Sequence, residues 1–124
     1  MQGSHTMRFH FKLRAKPYDS IKSGEKTFEL RLYDERRQKI KVGDEIEFSC
    51  AEGLREPFIV LVTGLHVFRN FSELYAALPL LQCGYTEENV ANASPNDMNA
   101  YYSEEAQSRY DVIGIEIRLI QPNS

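Results

Sequence analysis

Residues 56–68, EPFIVLVTGLHVF, form a nearly continuous apolar run rich in β-branched side chains. Such side chains lose rotamer freedom in a helix and pack well on a pleated surface. A run of this length, bounded by a proline and a polar segment, reads as a central strand covered on both faces. Residues 111–120, DVIGIEIRLI, read the same way, with Val112 and the isoleucines packing inside. Two central strands commit the chain to a sheet and leave the rest of it to supply edges and covering helices. His66 falls inside the first run, where a hydrogen-bonded, partly buried ring is the ordinary outcome.

The edges are written in alternation. In MRFHFKLR, residues 7–14, Phe9, Phe11 and Leu13 share one face, and Arg8, His10, Lys12 and Arg14 share the other. That is a half-buried strand with a basic outer face. In KTFELRLY, residues 26–33, Phe28, Leu30 and Leu32 oppose Thr27, Glu29, Arg31 and Tyr33. Between them, Pro17 suits a first helical position and Gly24 suits the left-handed residue after a helix. This predicts a short helix over Pro17–Ser23, with Lys16 beside an amino end that attracts anions. Asp34–Gln38 is a polar connector. Gly43-Asp44 is a turn, followed by a strand with Ile46 and Phe48 inward.

NFSELYAALPLLQCG, residues 70–84, reads as a helix capped by Asn70 or Ser72 and ended or kinked at Pro79. Residues 85–110 are polar, with a loop at 94–97 and a helix from about Ser103 to Arg109. The expectation is an α+β fold: five or six strands in a small mixed, mostly antiparallel sheet curled into a partial barrel, with three or four short flanking helices.

A length of 124 residues suits one domain. We assign it to residues 7–124 and read residues 1–6 as an expression-tag remnant. No apolar run approaches the ~20 residues that span a bilayer, and there is no signal-peptide pattern. Cys50 and Cys83 stand alone, with no C-x-x-C and no histidines at ligand spacing. They read as free thiols in a reducing, cytoplasmic setting. No metal or cofactor is expected.

The net charge is −3, but its distribution is lopsided. Residues 8–43 carry eleven Lys/Arg against five Asp/Glu; residues 44–124 carry four against thirteen. A locally basic third attracts phosphates whatever the total charge.

G-x-S-x-G, H-E-x-x-H, the P-loop and G-x-G-x-x-G are all absent. Chemistry here would rest on Lys, Glu, Tyr or Thr. GEKTFELR, residues 24–31, concentrates those types. Glu29 and Arg31 project from one strand face within ion-pair reach. As exposed neighbours they contribute under ~1 kcal/mol. As a built site, the carboxylate bonds an amino group and the guanidinium fork bonds a phosphate or a base edge. A lysine beside another cation, or partly buried, can serve as base or nucleophile. Both readings stand on the residues alone.

Residues 11–49 resemble the opening of the ASCH domain family. The resemblance rests on Lys16-Pro17, the Ile21 to Gly24 helix close, Gly24-x-Lys26-x-x-Glu29-x-Arg31, and Val42-Gly43-Asp44. Residues 99–120 are similar to the family's final helix and strand. Together the resemblance spans residues 8–120. It implies a β-barrel similar to that of PUA domains. It also implies a cleft between barrel and helices, lined by Lys26, Glu29 and Arg31, that takes RNA or a nucleotide-like ligand.

Arg14 and Lys16 fit such a cleft. Tyr101 and Tyr102 could stack on a base or simply pack the last helix. Some members resembling this family are amidohydrolases acting on acetylated cytidine, with a lysine, a threonine three residues later and a distant glutamate. Here Lys26 is followed at that spacing by Glu29, and Thr27 is out of register. That set does not carry over. The resemblance therefore implies an RNA- or nucleotide-binding domain first. The alternatives are a metal-independent hydrolase, either an amidohydrolase on a modified cytidine nucleoside or a ribonuclease, using Lys26 and Glu29, or a protein-interaction module.

Overall fold

The computed structural model describes residues 6–53 and 55–120. The tag reading of residues 1–6 falls almost wholly outside the described residues. Five strands, Arg8–Leu13 (β1), Phe28–Leu32 (β2), Glu45–Cys50 (β3), Phe58–Phe68 (β4) and Val112–Leu119 (β5), form one sheet. Its order is β1-β3-β4-β5-β2. Only β1 and β3 run parallel; the other pairs are antiparallel. Three short helices, Ala15–Lys22 (α1), Phe71–Ala77 (α2) and Glu104–Arg109 (α3), and several 3-10 turns flank it. The fold is α+β, a curled five-stranded half-barrel, as anticipated.

The curl brings the two edges, β1 and β2, toward each other, and arginine side chains span the seam. Arg31 Nη2 donates to the Lys12 carbonyl at 3.4 Å, and Arg36 Nη2 donates to the His10 carbonyl at 2.7 Å. The guanidiniums of Arg31 and Arg37 lie 4.5 and 4.8 Å from the Phe11 ring centre. An open edge strand is a template for unwanted pairing. Here two of the β1 carbonyls are taken up by side chains instead.

Two apolar clusters hold the sheet. Inside the curl lie Phe9, Phe11, Ile46, Phe48, Val60, Val62, Ile113 and Ile115, closed by Tyr18 and Ile21 of α1. On the outer face, Phe28, Leu30 and Leu32 of β2 meet Phe71 and Leu74 of α2, with Met98 and Val112. Each large side chain buried in this way contributes on the order of 1.5–3 kcal/mol.

Several expectations are corrected. Val112 belongs to the outer cluster, opposite the isoleucines, because alternation turns it to the other face of β5. β4 is central in order, but its second face is only half covered; β5 is the strand buried on both sides. α1 starts at Ala15, which makes Pro17 its third residue. Proline is tolerated there because the first-turn N–H groups lack helical partners. The amino end of α1 is partly served by Glu52, whose Oε2 accepts from Ala15 N at 3.5 Å. Gly24 does take the left-handed conformation, at φ +89°. α2 is capped by Asn70, which accepts from Glu73 N, and ends at Ala77 before Pro79.

Candidate functional site

β2 positions the site. Its alternation is as expected, but its polar face is not wet. Phe28, Leu30 and Leu32 pack under α2, so Glu29 and Arg31 turn toward the interior of the curl, where Tyr33 also packs. Glu29 is only 4% exposed. Its Oε2 accepts from Arg31 Nε at 2.7 Å, and Lys26 Nζ lies 3.0 Å from its Oε1. The Lys26 contact is an ion pair at hydrogen-bond distance, and Oε1 is buried with no other partner among the described residues. The sequence left open whether these charges were solvated. They form a buried cation–carboxylate–cation cluster.

A carboxylate removed from water must be compensated. Burial pushes the Glu29 carboxyl up, but the Lys26 and Arg31 charges and their bonds more than offset this, holding it below the ordinary carboxylate range. Burial by itself would lower the Arg31 guanidinium, and Glu29 raises it instead. Glu29 is therefore ionised at neutral pH and is a weak proton acceptor. What it does is hold two cations in place.

Lys26 precedes β2 and is fixed from the other side. Thr27 N donates to the Gln82 carbonyl at 2.8 Å, and the Thr27 hydroxyl donates to Gln82 Oε1 at 2.9 Å. These bonds dock residues 82–84 along the lysine stem. Gly84 sits there at φ +113°, a conformation that L side chains rarely adopt. Cys83, beside it, is a free thiol that burial pushes up to about 11, so it is protonated and unreactive.

These residues line a cleft of about 670 Å³ between the β1–α1 junction, β2 and the 3-10 segment Pro95–Ala100. Arg14, Lys16, Lys26, Glu29, Arg31, Tyr101 and Tyr102 all border it. The structure thus brings together every residue singled out from the sequence. They are not equivalent, however. Arg14 and Lys16 are exposed at the mouth. Tyr101 is 58% exposed, with the Arg14 guanidinium 6.0 Å from its ring centre. Tyr102 is packed: its ring stacks on Phe71 at 6.2 Å, and burial raises its hydroxyl. Tyr101 is a free ring, and Tyr102 is a wall.

One set of cleft residues was missed. Tyr75, Tyr85 and Asp97 also border the cleft and form one hydrogen-bonded chain. Tyr75 Oη lies 2.7 Å from Tyr85 Oη, which donates to Asp97 Oδ2 at 2.7 Å. Burial raises both phenols. Nothing in the spacing of these residues links them. Asp97 carried one legible signal: Ser94-Pro95-x-Asp97 is a capping box, which fixes its carboxylate locally.

Among the described residues no group of three or more His, Cys, Asp or Glu could hold a metal, and no helix is long and apolar enough to cross a membrane. His66 Nε2 is 2.9 Å from Glu116 Oε1, a half-exposed pair away from this cleft.

The sequence profile of the ASCH domain family matches residues 11–121. Among solved structures, the hypothetical protein PH0355 is 32% identical, with a TM-score of 0.74 over 92% of this chain and 100% of that one. Protein PF0455 from Pyrococcus furiosus is 28% identical, with a TM-score of 0.70 over 94% of this chain and 100% of that one. A ZmASCH mutant protein from Zymomonas mobilis is 12% identical, with a TM-score of 0.63 over 94% of this chain and 73% of that one. At that identity the likeness concerns the fold alone. No curated protein matches the sequence. The profile match over nearly the whole chain, on a half-barrel of the same architecture, places the chain in the ASCH domain family.

Proposed function

We propose that the cleft binds single-stranded RNA or a nucleotide, with Lys26 and Arg31 as its inner cations, Arg14 and Lys16 at its mouth, and Tyr101 as a stacking ring. The observation that carries this is Glu29, buried between Lys26 and Arg31 with an ion contact to each. A buried charge cluster is a poor way to stabilise a fold, because desolvation consumes most of what the pairing returns. It is a good way to hold two cations rigidly at a cleft, where neither can collapse onto the surface. The family is itself proposed to bind RNA, and the basic first third of the chain supplies the field. An exposed tyrosine facing an arginine offers the sequence-tolerant stacking that single strands use.

A protein-interaction module would be favoured by a closed cleft, and this cleft is open. The hydrolase reading, with Lys26 as base or nucleophile activator and Glu29 as its partner, draws no added support from Glu29, whose ionised carboxylate is engaged in ion contacts with both Lys26 and Arg31.

The test is fluorescence anisotropy with short labelled single-stranded RNAs across salt concentrations. Phosphate-driven binding weakens as salt rises, with a slope of about −0.7 per phosphate neutralised. The reading predicts binding at low salt that fades in this way. No binding at low salt contradicts it.

A further inference from the structure

The connector after β2 carries Arg36 and Arg37, which do not border the cleft. With Arg31 they converge on one ring. The guanidinium carbons of Arg31, Arg37 and Arg36 lie 4.5, 4.8 and 5.8 Å from the Phe11 ring centre, at the seam between β1 and β2. Like charges held this close repel one another unless a counter-charge sits among them. The protein supplies little. Glu29 divides its carboxylate between Arg31 and Lys26. Asp34 pairs with Arg37 at 3.3 Å. The Glu35 carboxylate accepts from the Tyr110 hydroxyl, at 3.0 and 3.1 Å. Arg36 is exposed and makes no ion pair among the described residues; its one bond goes to the His10 carbonyl, a neutral acceptor.

Closing the seam does not require this surplus, because a neutral side-chain amide would bond the His10 carbonyl as well. Burial, together with the charges of Arg31 and Arg36, holds the Arg37 guanidinium below the ordinary arginine range, and Asp34 does not offset them. Arg37 keeps 16% of its side chain exposed, and its Nε has no hydrogen-bond partner among the described residues. Arg31 and Tyr102 border the cleft, and both act electrostatically on Arg37, so the cluster adjoins the cleft.

We propose that Arg36 and Arg37 form a second phosphate site at the β1–β2 seam, which takes a neighbouring phosphate of a strand already held in the cleft. The proposal rests on the reading of the cleft as an RNA site, and it chooses between the two ligands that reading allows: an oligonucleotide rather than a single nucleotide. A guanidinium is the cation suited to the task, since its parallel N–H groups match two phosphate oxygens and it gives up water more readily than an ammonium. A backbone phosphate is also the anion that the cluster lacks.

The experiment uses the full chain, fluorescence anisotropy with labelled rU6 across salt concentrations, and unlabelled uridine 5′-monophosphate as a competitor. The unaltered chain is expected to bind rU6 at least roughly tenfold more tightly than the mononucleotide. Arg36→Ala, at an exposed position, is expected to weaken rU6 about threefold. Arg36→Ala/Arg37→Gln is expected to weaken it on the order of tenfold and to make the log–log salt slope shallower by about 0.7, as for one lost phosphate. Both variants should leave competition by the mononucleotide within about twofold of the unaltered chain. A urea midpoint for each variant reports its folding, and Arg36→Ala decides if the double variant is unfolded.

Binding of rU6 with equal affinity and slope in the folded variants and the unaltered chain overturns the proposal but leaves the RNA reading standing. Equal affinity of rU6 and the mononucleotide does the same. If the variants weaken the mononucleotide as much as rU6, the seam is the principal phosphate site and the two-site arrangement falls. Failure of both ligands to bind overturns this proposal and the RNA reading together.

Discussion

β1 and β2 are written alike, as five or six residues of alternating apolar and charged side chains, yet their charged faces meet opposite fates. On β1, Arg8 pairs with Glu45 at 2.8 Å, with side chains 48% and 28% exposed. On β2, Arg31 pairs with Glu29 at 2.7 Å, with side chains 16% and 5% exposed. Alternation says which residues share a face. It does not say whether that face meets water. The difference arises from what covers the apolar face. Phe9, Phe11 and Leu13 point into the curl, so the polar face of β1 looks outward. Phe28, Leu30 and Leu32 pack outward under α2, so the polar face of β2 is driven inward. The same local pattern therefore yields a solvated surface on one edge and the wall of a cleft on the other.

The contrast is broken most severely by Glu29→Ala. Removing the carboxylate leaves two partly buried cations uncompensated, and the expected destabilisation is on the order of 3–5 kcal/mol in urea unfolding. A loss below 1 kcal/mol would mean that β2 behaves like β1.

Acid sharpens it next. The folded-state value of Glu29 lies below its ordinary 4.5. A depressed carboxylate contributes stability that is present above its unfolded value and lost as pH falls through the folded one. Stability measured by urea midpoint should therefore fall as pH drops below about 4.5, and Glu29→Gln should flatten that part of the profile. An unchanged profile in the variant would assign the acid sensitivity to other carboxylates.

Arg31→Lys keeps a charge but loses the fork that serves Glu29, the Lys12 carbonyl and the Phe11 face together. A loss of about 1–3 kcal/mol is expected, read by the same unfolding curve. Glu45→Ala, which removes the β3 partner of Arg8 on the wet edge, should cost no more than about 1 kcal/mol, and less as salt is raised. A larger effect there would erase the distinction between the two edges.

Much of the architecture was legible because it follows from local rules. The apolar runs at 56–68 and 111–120 announced interior strands, Gly24 and the Asn70 or Ser72 cap marked helix ends, and Glu29 and Arg31 stood at a spacing that shares a face. What was not legible depends on pairing across the chain. That β2 docks on β5 rather than beside β1 decides which of its faces is buried. That residues 83–85 and 97 return to the cleft decides what shares it with the cations. Tyr101 and Tyr102 could not be told apart by sequence either. Adjacent residues on a turn face different ways, and here one stacks on Phe71 while the other stays open.

The central claim is that the cleft cations, with Arg14 at the β1–α1 junction and Lys26 held by the inward-facing Glu29 of β2, form part of an RNA-binding wall while the outward face of β1 does not. The most direct measurement is the salt dependence of single-stranded RNA affinity for three proteins: the unaltered chain, Arg14→Ala/Lys26→Ala, and Arg8→Ala. The account predicts that the double variant binds at least roughly tenfold more weakly at low salt. It also predicts that its log–log salt slope is shallower by about 1.4, as for two lost phosphate contacts. Arg8→Ala should match the unaltered chain within about twofold. Equal affinity and equal slope in all three proteins would contradict the account.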